Sequence, residues 1–80
     1  MKGLTKYMNN IDNMVDELNS KIEALEEKRD AIEEKALDHD RDMTEREQER
    51  YDELDEQIYE LNDIVDDLTS ISERLGELMD

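Results

Sequence analysis

Nine carboxylates stand between Tyr51 and Glu73, namely Asp52, Glu53, Asp55, Glu56, Glu60, Asp63, Asp66, Asp67 and Glu73, with no Lys or Arg among them. Carboxylates at that density support three kinds of chemistry. They trade protons as an acid and base pair, ligate a hard cation, or present a negative surface to a basic partner. Proton transfer requires one pair whose environment sets it apart, and here the acids are so numerous that none stands out. His39 has no Cys nucleophile to activate, and Ser20, Ser70 and Ser72 lie in helical patterns without an oriented base. The expectation is no enzyme, no catalytic residue and no cofactor.

Cation binding has one specific candidate. Asp38, Asp40, Asp42, Thr44 and Glu49 fall at positions 1, 3, 5, 7 and 12 of a calcium-loop spacing. Met43 then takes position 6, where the sharp turn needs Gly, and Arg46 brings the wrong charge to position 9. Glu45 occupies position 8, which is normally apolar. Metal sites in helical bundles use Glu-x-x-His, but the residue three before His39 is Ala36. With no Cys and one His, a zinc site of the usual ligands is implausible. The segment reads as a solvated acidic turn with a threonine cap, and no metal site is expected.

Positioning the acids falls to two helices. The glycines are Gly3 and Gly76, and proline is absent, so nothing between residues 4 and 75 strongly breaks a helix. Leu4, Ile11, Leu18, Leu25 and Ile32 repeat every seven residues, as do Met8, Val15, Ile22, Arg29 and Ala36. In the second half the series are Leu54, Leu61, Leu68, Leu75 and Tyr51, Ile58, Val65, Ser72, Met79. Alternating spacings of three and four place both series of each half on one helix face, as in a coiled coil. The halves do not share a register, and Met43 is the one apolar residue between Leu37 and Tyr51. That break predicts a turn rather than one long bent helix. Thr44 followed by Glu47 is a capping-box pattern that starts a second helix near residue 45. The predicted fold is all-α: an antiparallel two-helix coiled-coil hairpin forming one domain over 1–80, with helices 5–39 and 45–79 and a turn at 40–44.

Folding back at the turn pairs residues whose numbers sum to about 83. Ile22 then meets Leu61, Leu25 meets Ile58, and Val15 meets Leu68. Arg29 faces Leu54, where its long stem suits packing while its head reaches a carboxylate such as Glu33 or Asp55. At the open end the apolar stripe widens through Tyr7 and Met14 on the first helix and Ile64, Ile71 and Leu78 on the second. A single seam cannot offset the ordering cost of about 1.5 kcal/mol per residue. These five residues are therefore the expected interface of a homodimer that closes into a four-helix bundle.

The remaining signal is charge. Acids number 26 against 10 bases, a net charge of −16, which disfavours direct binding to nucleic acid or an anionic membrane. No apolar run exceeds two residues, so neither a membrane span nor a signal-peptide core is expected. The default location is cytoplasmic, the host cytoplasm if the gene is a phage's. Asp52, Glu53, Glu56, Glu60, Asp63, Asp66 and Asp67 map to outward positions of the second helix, where they repel one another at spacings of three and four. Such a face serves solubility, or it docks on a basic groove. A helix brings carboxylates round about every 5–6 Å along one face, close to the spacing of phosphates in a nucleic-acid strand. In size, acidity and rod-like shape, though in no motif, the chain resembles the small acidic inhibitors that phages deploy against restriction and CRISPR nucleases. That resemblance implies a non-enzymatic inhibitor acting by DNA mimicry on a basic, nucleic-acid-handling protein. The alternative is a structural or scaffolding coiled-coil module held by its wide apolar end; a calcium-sensing helix pair ranks last.

Overall fold

In the computed structural model, which describes residues 3–79, the chain is two long helices packed against each other. Helix α1 spans Thr5–Asp38 and α2 spans Glu45–Glu77. Together they make an all-α hairpin, a rod of 59 × 15 × 13 Å. Met1, Lys2 and Asp80, the expected limits of the domain, lie outside the described residues.

Helix α1 stops one residue before the expected end, and the stop has a defined geometry. His39 caps the helix and Asp40 adopts a left-handed backbone with φ of 51°. The Asp40 amide donates to the Leu37 carbonyl at 3.0 Å, and the Arg41 amide donates to the Ala36 carbonyl at 3.1 Å. These two bonds form a Schellman motif, in which glycine is the usual left-handed residue. Aspartate tolerates that conformation better than most side chains, which is how the hairpin turns without Gly or Pro. Helix α2 ends at Glu77 rather than at residue 79. Gly76, a poor helix former, sits in its last turn, and the Leu78 and Met79 amides close onto Leu75 and Gly76 at 3.1 and 3.2 Å.

The start of α2 follows from its first residues. Thr44 Oγ1 accepts from the Glu47 amide at 3.1 Å, and Glu47 Oε1 accepts from the Thr44 amide at 3.0 Å. Each bond satisfies an amide that the first turn would otherwise leave unpaired. Arg41 completes the arrangement by donating to both Glu47 oxygens, at 2.7 and 3.3 Å. One carboxylate thus ties the turn to the helix that follows it. The Arg41 guanidinium, and next the Thr44 amide, hold the Glu47 carboxyl down to about 2.

The seam buries Ile22, Leu25, Leu54 and Ile58 in one cluster, with Ile32, Leu61 and Val65 packed against it. Leu54 is its centre, 1% exposed. Three contacts fix the register: Arg29 with Asp55, Asp12 with Ser72, and Thr5 with Met79. In each pair the residue numbers add to 84, one more than the sequence suggested. The core is confined to the middle of the rod and its turn end. Towards the open end Met8, Ile11, Val15, Leu68 and Leu75 are half-buried.

Candidate partner-binding surface

Every acid of the expected face is exposed: Asp52, Glu53, Glu56, Glu60, Asp63, Asp66 and Asp67. They occur on α2 because its inward positions are taken by the Leu54, Ile58, Leu61 and Val65 series, which leaves the acids outward. From Asp52 to Asp67 the face runs about 22 Å along the helix. Two of its members have partners within the chain. Gln48 donates to Asp52 at 2.9 Å, and Arg50 pairs with Glu53 at 3.4 Å. Glu56, Glu60, Asp63, Asp66 and Asp67 form no ion pair with any described residue. The uncompensated part of the face is thus its middle and its side nearer the open end.

One residue of this surface was missed in the sequence. Tyr59 is 70% exposed and stands among the outward acids, one position before Glu60 and four before Asp63. Its heptad position, equivalent to that of Asp52 and Asp66, was the available signal. Leu37, 69% exposed at the end of α1, is the other large apolar residue left in solvent that the widened stripe does not include.

Arg29, the single cation in the seam, reaches Asp55 across the hairpin at 2.8 Å and Asp30 beside it at 3.1 Å, and not Glu33. Its guanidinium also lies 6.0 Å from the centre of the Tyr51 ring. Asp55 and then Asp30 raise its pKa further. These bonds tie Arg29 to the architecture, while Asp55 gives one oxygen to the pair and its side chain stays 59% exposed.

The two flanks of the seam differ in chemistry. On one side Met8, Asp12, Asp16, Ser72, Glu73 and Gly76 border a shallow groove. On the other, Lys35, Arg46 and Arg50 border a groove together with Ala31, Ile32 and Glu47. Stepping from Lys35 by sevens along α1 gives Lys28, Lys21, Met14 and Tyr7. Stepping from Arg50 along α2 gives Gln57, Ile64, Ile71 and Leu78. No acid occupies any of these ten positions, although acids are 26 of the 80 residues. This flank is basic towards the turn and apolar towards the open end. The five apolar residues expected at an oligomer interface all lie on it, between 45% (Ile64, Ile71) and 56% (Tyr7) exposed.

Among the described residues no group of three or more His, Cys, Asp or Glu is arranged to hold a metal ion. Asp38 closes α1 and Glu49 lies inside α2, so the two ends of the calcium-like spacing belong to different helices. Among the described residues no helix is long and apolar enough to cross a membrane. The fold and surface define an acidic helical hairpin with one carboxylate face and one flank whose ten heptad positions hold no acid, called the acid-free flank below. The chain matches no family model, no curated protein and no solved structure.

Proposed function

We propose that the chain is a non-enzymatic binding protein that docks the carboxylate face of α2 on the basic, nucleic-acid-binding surface of another protein. A nuclease is the partner class that this chemistry fits best, in the manner of anti-restriction or anti-CRISPR inhibitors that mimic DNA. The observation that carries the reading is the run of exposed acids without an ion-pair partner among the described residues, Glu56, Glu60, Asp63, Asp66 and Asp67. Neighbouring like charges on a helix cost a few tenths of a kcal/mol per pair, and the fold gains nothing from them. Tyr59 offers the face an aromatic contact of the kind that concentrates binding energy at interfaces. The test is DNA cleavage by restriction and CRISPR nucleases titrated with the protein. Inhibition should disappear with Glu56→Gln, Asp63→Gln and Asp66→Gln combined, and should weaken with Tyr59→Ala. Exposed ion pairs are heavily screened at 1 M salt, so binding that persists there would refute a charge-led interface.

A second reading rests on the other surface. The five exposed apolar residues at the open end favour self-association, and we propose that the chain is a homodimer. A scaffolding module would need that interface alone. Ile64→Glu with Ile71→Glu would then abolish function, while neutralising the acids would leave it intact.

A further inference from the structure

Charge and apolar surface together restrict how two copies could meet. Each chain carries a net charge of −16, so association is opposed by long-range repulsion, which is weakest along the flank whose heptad positions carry Lys and Arg and no acid. Three features of that flank bear on its occupant. Its open half is apolar and adjoins seam residues that are themselves half-buried, including Met8, Leu68 and Leu75. Its turn half carries Lys21, Lys28 and Lys35 at seven-residue intervals, and none of the three pairs with a described acid. Finally, it is edged on α2 by Glu53, Glu60 and Asp67, also at seven-residue intervals. Glu60 lies four residues before Ile64 and Asp67 three after it, so both share a helix face with that flank residue. The Arg50–Glu53 pair at 3.4 Å shows Glu53 turned towards the same edge.

We infer that a second copy of this chain covers the acid-free flank with the two rods side by side and their turns at the same end. This arrangement rests on the homodimer reading and deepens it. With the twofold axis along the rods, α1 of each copy lies antiparallel to α2 of the other. The apolar halves then close into a four-helix core. Lys21, Lys28 and Lys35 of one copy run beside Asp67, Glu60 and Glu53 of the second, in matching seven-residue steps. The same pairing repeats on the other side of the axis, as a self-complementary interface requires. Reversing one rod would instead press the lysine row onto the apolar strip and strand buried charge. One consequence concerns the carboxylate face. Its edge acids serve the dimer, and Asp52, Glu56, Asp63 and Asp66 remain turned outward on each copy.

The test is sedimentation equilibrium of the full chain at 10–100 µM protomer (about that range suits standard-size interfaces) in low salt. The wild type should have twice the 9.5 kDa chain mass. Lys28→Glu with Lys35→Glu should weaken the dimer by roughly tenfold or more, and so should Glu53→Lys with Glu60→Lys, because each places like charges across both symmetric edges. An equimolar mixture of the two variants should dimerise again, since every edge then pairs opposite charges. A monomeric wild type would overturn the homodimer reading and this arrangement with it. A dimeric wild type whose charge variants dimerise equally well, or do not complement on mixing, would overturn the arrangement alone. Far-UV circular dichroism of each variant establishes that it remains helical.

Discussion

Replacing Glu56 and Asp63 with Gln should stabilise the hairpin, although it removes two charges from the surface proposed to act. The two side chains are exposed and form no ion pair or hydrogen bond with a described residue. Their like-charged neighbours on α2 are Asp52, Glu53 and Glu60 for Glu56, and Glu60, Asp66 and Asp67 for Asp63. That makes six repulsive pairs at spacings of three or four, all relieved by two substitutions. At about 0.2–0.5 kcal/mol each, the gain is about 1–3 kcal/mol. Exchanging one Asp for Gln inside a helix adds a few tenths more. For a chain of this length each kcal/mol moves the melting temperature by about 4–8 °C. Thermal unfolding followed at 222 nm, at fixed protomer concentration and about 10–20 mM salt, should therefore show a rise on the order of 5–20 °C. The gain should shrink sharply in 1 M salt, where the screening length of about 3 Å is shorter than the pair separations. A variant no more stable than wild type in low salt would refute the premise that the acids are held at a cost. So would a gain that salt leaves untouched.

Three further substitutions probe the scaffold. Asp40→Gly should stabilise by about 0.5–1 kcal/mol, because glycine takes the left-handed conformation at the end of α1 without the strain of a Cβ; denaturant unfolding checks it, and a loss would contradict the turn geometry. Gly76→Ala should also gain about 0.5–1 kcal/mol, since a Cβ there meets Met8 Cε at an ordinary 3.5 Å, and the same unfolding assay reads it. Glu47 should make the turn sensitive to acid. Its carboxyl is depressed from 4.5 to about 2 in the folded chain, so its stabilising contribution is complete above about 4.5 and lost as pH falls through about 2. The advantage of wild type over Glu47→Gln, measured as amide exchange in the first turn of α2, should therefore vanish below that value.

Part of the surface was legible in the sequence because helical periodicity is a local property. Once Leu54, Leu61 and Leu68 define the inward face of α2, the outward placement of Asp52, Glu56 and Asp63 follows from 3.6 residues per turn. The same arithmetic places Tyr59 outward, at the heptad position of Asp52 and Asp66, although an aromatic side chain by its type alone suits a core. The partner of Arg29 was harder to read. Glu33 and Asp55 were both within reach of a long side chain, and neither spacing nor composition distinguishes a neighbour on the same helix from one across the seam.

The sequence by itself determined two helices, the capping box that starts the second, and the direction in which the acids of α2 face. Each depends on residues a few positions apart, whose geometry the helix fixes in advance. Tertiary structure decided the register between the helices and the choice of Asp55 over Glu33. It also decided that Lys21, Lys28 and Lys35 share a flank with Arg50, Ile64 and Ile71. These features depend on how the two helices face and slide past each other, and the closing turn and the buried Leu54 cluster set both.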